Sequence, residues 1–127
     1  MAKDVFRGDR MRWIDRSLSF LLVLGGIGHT YGVLNFYGDP HTLFWSLTAS
    51  ELVFLLAAIN LLRTWRPGDP QLAIIASCAS AAYLLFTLRF GQLIGNMTDF
   101  RVILFGVLTL GLTAFGLRDA MRSAMRP

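Results

Sequence analysis

The sequence predicts an all-α fold: an integral membrane four-helix bundle with both termini cytoplasmic. Three observations carry that prediction. The 127-residue chain is 54% hydrophobic with a mean hydropathy of +0.53, above the usual composition of soluble domains. Four apolar segments can be drawn, 17–36, 40–62, 70–94 and 100–117, most of them near the ~20 residues that a spanning helix needs. Of the 12 basic residues, ten fall on one side of such a bundle: Lys3, Arg7, Arg10, Arg12, Arg16, Arg63, Arg66, Arg118, Arg122 and Arg126. Only Arg89 and Arg101 fall on the other, so the positive-inside rule makes both termini and the middle loop cytoplasmic.

The first helix is expected over about 14–36. Its apolar run exceeds a signal-peptide core and no small-residue cleavage site follows, so it reads as a span and not as a leader. Gly25, Gly28, His29 and Gly32 share one stripe at helical spacing, which places the histidine among residues that permit close approach. The second helix, about 40–63, opens on Asp39-Pro40, an N-cap acid before a proline at the first helical position. It carries Glu51, the sole glutamate, with Thr48 one turn earlier. The third, about 70–94, opens the same way on Asp69-Pro70 and lines up Ala73, Ala76, Ser77, Ser80 and Leu84. Cys78 among them is expected to pack as a small buried thiol. The fourth, about 99–118, is capped by Thr98 or Asp99 and shows Gly106, Thr109, Thr113 and Gly116 on one stripe. Loops 37–39 and 64–69 are too short for a second domain, so residues 1–127 form one unit.

Glu51 sits mid-helix, where an ionisable group is costly unless neutral, paired or facing a wet cavity, and is functional by default. Helix counting at ~1.5 Å per residue brings His29 to nearly the same depth on the neighbouring helix. The two are therefore the candidate catalytic pair, the carboxyl orienting the imidazole and exchanging a proton with it. Thr48, Tyr31, Trp45, Ser77, Ser80, Tyr83, Arg89 and Thr109 are the candidate ligand-binding residues around that centre. Alternatives stay open: Glu51 as bundle glue, His29 satisfied on a carbonyl, and the external aromatics as an interfacial belt. Arg89 reads either as a solvated end paired to Asp99 or a lipid phosphate, or as a cationic rim. Asn60, half a turn from Glu51, belongs to a different interhelical contact.

The lone Cys78 excludes an intramolecular disulfide and a CxxC pair. No GxSxG, P-loop or HExxH occurs, and His41 lies too near the interface to complete a haem ligand pair with His29. No metal is expected and no cofactor is indicated. The sequence pI near 10 reads as topology and contact with membrane lipids, with no nucleic-acid partner.

The four-helix layout, the Gly26-Ile27-Gly28-His29 run and an acid in the second helix resemble the DoxX-like group of small bacterial membrane proteins. Ser50-Glu51-Leu52-Val53-Phe54 after a first-helix histidine also resembles the EXPERA class, which includes sterol isomerases and a sterol-binding receptor. The second resemblance rests on five contiguous residues and the helix count, and this chain lacks the long external loop of that class. It implies an apolar cavity in which acid and imidazole groups contact or protonate a lipophilic molecule. The leading expectation is a protein of the bacterial inner membrane that binds a lipophilic small molecule at the His29/Glu51 centre, with isomerase-like proton transfer as its fullest form. An accessory subunit or homo-oligomer packing through small-residue faces is the second, and a proton-coupled exporter the third.

Overall fold

A computed structural model describes residues 2–125, with side chains from residue 10 onward. The side chains of Lys3 and Arg7, and Arg126 altogether, lie outside the described residues. Four helices make up nearly all of the described residues: α1 (Ala2–Phe36), α2 (Pro40–Trp65), α3 (Pro70–Leu93) and α4 (Phe100–Ala124). Each holds a stretch long and apolar enough to cross a bilayer. The chain is a four-helix membrane bundle. α1 starts earlier and α4 ends later than the apolar segments do, because hydropathy marks lipid contact whereas i→i−4 hydrogen bonding continues through polar residues such as Arg12 and Asp119.

The acids placed before each later helix act as caps. The Asp39 carboxylate accepts the Thr42 amide at 2.8 Å, Asp69 that of Leu72 at 3.0 Å, and Asp99 that of Arg101 at 2.9 Å, each satisfying an otherwise orphan N–H. Hydrogen bonds from Thr42 hold the Asp39 carboxyl below its ordinary value. The Arg101 side chain, and then its amide, does the same for Asp99.

The helices alternate in direction, so the bundle has a hairpin end, with the α1–α2 and α3–α4 turns, and a termini end, with both chain ends and the α2–α3 turn. The closest packing lies within the pairs α3–α4 and α1–α2, while α1–α4 and especially α2–α3 touch far less. Two helical hairpins thus meet around a core of Leu22, Val53, Leu56, Ala57, Phe105, Leu108 and Leu112. Glycine makes each hairpin tight. A Cβ on Gly116 would collide with Ser77 Oγ and lie 3.4 Å from the Ala73 carbonyl, and one on Gly26 would lie 2.9–3.2 Å from the Phe54 ring. The outer surface is apolar on every helix, with Leu24, Leu55, Ile75 and Leu110 among its exposed residues, as hydrocarbon solvent permits. Cys78 is exposed: Ser77 and Ser80 take the inward positions of α3, which turns residue 78 outward.

Candidate functional site

His29 is half-buried on the inner side of α1, and its Nδ1 lies 2.9 Å from Ser50 Oγ on α2. The Ser50 hydroxyl is also 3.3 Å from the Ser46 carbonyl, which can only accept. A serine has one proton to donate, so with that proton on the carbonyl the imidazole donates from Nδ1 and keeps a lone pair on Nε2. Edge-on contacts with Phe105 at 6.3 Å, and of Tyr83 on the same Phe105 ring, hold the imidazole between α1 and α4.

Sparse α2–α3 contact leaves a cleft of about 510 Å³ in the hairpin half of the bundle. Leu52, Tyr83, Phe86, Phe90 and Phe105 form its apolar walls, and His29, Tyr37, His41, Thr87 and Arg101 supply polar groups. Trp45 and Phe86 line it and are also exposed on the outer surface. A second cleft of about 690 Å³ lies on the α1–α4 side, lined by Leu24, Gly28, Gly32, Val33 and Leu104. His29, Tyr37, Arg101 and Phe105 line both. They stand between the two clefts. Arg101 is held at this level by a two-point contact with Asp99, at 2.9 and 3.1 Å, with its guanidinium over the Phe90 ring.

Glu51 is exposed on the outer face of α2 and its neighbour Ser50 is buried. One residue is 100° of helix rotation, so the group that meets His29 at the matched depth is Ser50 and not Glu51. Of the candidate ligand-binding residues, Trp45 and Tyr83 line the α2–α3 cleft with His29. Ser77, Ser80 and Thr109 are buried in the packed interior, their hydroxyls committed to the Ala73 carbonyl, the Asn60 amide and the Phe105 carbonyl respectively. Thr48 bonds the Phe44 carbonyl on the outer side, and Tyr31 is 69% exposed. Arg89 is exposed and bonds Gln92. The Asp99 carboxylate expected to pair with Arg89 is taken by Arg101, two residues away on the start of α4.

A second polar centre, at the termini end, has no counterpart in the sequence reading. Arg63, only 2% exposed, donates from Nη2 to Asp15 and from Nη1 to Asp119, both at 2.6 Å. Arg118 binds the other Asp119 oxygen at 2.9 Å, so the four formal charges cancel. Arg63 also reaches Asn60, whose amide donates to Ser80 at 3.0 Å. All four helices are tied at one level. Arg63, counted in the sequence only toward topology, is thus an interior group: its position three residues after Asn60 puts both on the inner face of α2. The available signal was two acids, Asp15 and Asp119, embedded among arginines at opposite ends of the chain. Net charge conceals that pattern.

Comparison of the chain with family models, with curated proteins and with solved structures finds no match.

Proposed function

We propose that this membrane bundle binds a lipophilic molecule that enters from the bilayer between α2 and α3 and presents a polar group to His29. The observation that carries this reading is the meeting of two clefts on one imidazole. The α2–α3 cleft, at about 510 Å³, falls within the ~300–1,000 Å³ of small-molecule sites, which are mostly apolar with a few convergent polar groups. Leu52, Phe86 and Phe90 receive the hydrocarbon part, while Tyr37, Arg101 and His29 orient the polar part. With Nδ1 engaged by Ser50, the free Nε2 accepts a proton from a carbon beside a carbonyl, the C–H electron pair moving onto the carbonyl oxygen as an enolate. That is the first half of an isomerisation, and the imidazolium returns the proton to a different carbon in the second half. The ten-to-two distribution of basic residues supports an orientation with the clefts in the outer half of the membrane. The resemblance of the Ser50–Phe54 run to the EXPERA class supports the same ligand class.

The test is native mass spectrometry of the full chain released from detergent. Wild-type protein is expected to retain a lipid adduct. Ala49→Trp, which fills the cleft from α2 and leaves the His29 side chain itself unchanged, is expected to lose it. A bare protein mass for the wild type, or an adduct indifferent to Ala49→Trp, would overturn the reading.

A further inference from the structure

Glu51 takes no part in either cleft, and among the described residues its side chain makes no hydrogen bond. It faces outward at the middle of a membrane-spanning helix, where a carboxyl bathed in hydrocarbon is strongly unfavourable. The residues along the same side of α2 are Phe44, Thr48, Glu51, Leu55, Ala58, Leu62 and Trp65, spaced four and three residues apart throughout. All are exposed except the half-buried Thr48. This is the spacing of a seam on which a second helix can pack at a shallow left-handed crossing, with Glu51 its one ionisable residue, at its centre, and the Thr48 hydroxyl already bonded to its own helix. An unsatisfied polar group in such a seam selects register and partner.

We propose that the outer face of α2 is a homodimer interface in which the Glu51 carboxyls of two copies hydrogen-bond each other. Three arguments select a second copy. The basic residues lie ten to two on one end, so all copies insert in the same direction and a two-fold axis must run along the membrane normal. Such an axis brings every α2 residue to its own counterpart at the same depth, so carboxyl meets carboxyl. Each group then supplies both a donor and an acceptor, or the pair shares one proton. Finally, every inserted chain exposes this carboxyl, so its partner has to be present in equal amount, a condition that the chain itself meets. The seam lies beside the cleft wall formed by Trp45, Ala49 and Leu52, which places the second copy next to the cleft mouth without filling it.

The experiment uses the full chain in phosphatidylcholine/phosphatidylglycerol vesicles. With Cys78 replaced by Ser, Ala58→Cys is expected to form an intermolecular disulfide on mild oxidation, and Leu110→Cys, on the outer face of α4, is not. Energy transfer between labelled copies, followed as lipid dilutes the protein, is expected to show association weakened roughly three- to twentyfold by Glu51→Leu, from the measured worth of interhelical hydrogen bonds. Glu51→Gln, which keeps donor and acceptor, should associate like the parent. A monomeric wild type, equal cross-linking at positions 58 and 110, or undiminished association of Glu51→Leu would each overturn the proposal.

Discussion

Single side chains decide which polar groups meet inside this bundle. His29 and Ser50 are joined at 2.9 Å, so His29→Ala and Ser50→Ala are expected to be non-additive in thermal stability by ~0.5 kcal/mol or more in a double-mutant cycle. His29→Ala and Glu51→Gln are expected to add, since the two groups face different surroundings. The opposite pattern of couplings would show that the imidazole turns to α2 differently from the arrangement described. At the termini end, removing one member of the buried ion cluster strands the others. Arg63→Met leaves Asp15 and Asp119 without their shared cation and should cost about 3–5 kcal/mol. Replacing Arg63, Asp15, Asp119 and Arg118 together by Met, Leu, Leu and Met should recover most of that loss, because an apolar quartet has no charge to desolvate. Thermal unfolding in one detergent, followed by circular dichroism, distinguishes these outcomes. A single substitution as mild as the quadruple would mean that the cluster is well solvated.

Between helices, small residues set how closely the backbones approach. Gly116→Val puts a branched side chain against Ser77 and the Ala73 carbonyl. It should destabilise the α3–α4 hairpin by about 1–3 kcal/mol, the usual range for overpacking. Gly28→Ala meets open space and should be close to neutral in the same melt. Helix ends respond to pH instead. Asp39 and Asp99 have folded-state values below the ordinary 3.8, so their caps contribute stability that is fully present above that value. It is lost as pH falls through the lower folded-state values. Asp39→Asn and Asp99→Asn, which keep the cap oxygen but not the titration, should flatten the acid limb of a melting-temperature profile. An unchanged limb would place acid sensitivity in other carboxyls.

For the molecule as a whole, the lopsided basic residues predict that a reporter fused after Pro127 is cytoplasmic and one inserted at Gly38 is external. The reverse labelling would turn the clefts toward the inner leaflet. Much of the architecture is legible in the sequence. Helix number, the Asp-Pro starts and the inward stripe of Ala73, Ala76, Ser77 and Ser80 follow from local chemistry and a 3.6-residue period, both of which are properties of one segment at a time. The depth of His29 was also legible, because rise per residue is constant and the α1–α2 turn is short. Rotation about the helix axis was not. On α2 nearly every residue is apolar, so periodicity could not show whether Ser50 or Glu51 faced α1, and only the packing of Gly26 against Val53 and Phe54 sets that angle. Arg63, Asp15 and Asp119 escaped for a related reason: each sits in a segment whose charge satisfies the topology rule alone, and their pairing exists only once three helix ends are brought to one level. The sequence by itself determined which segments are long and apolar enough to enter the bilayer and where each residue falls along its helix, since transfer free energy is summed along a helix. The tertiary structure decided which residues touch, since contact depends on the relative rotation of helices that the bilayer, uniform around each axis, does not specify.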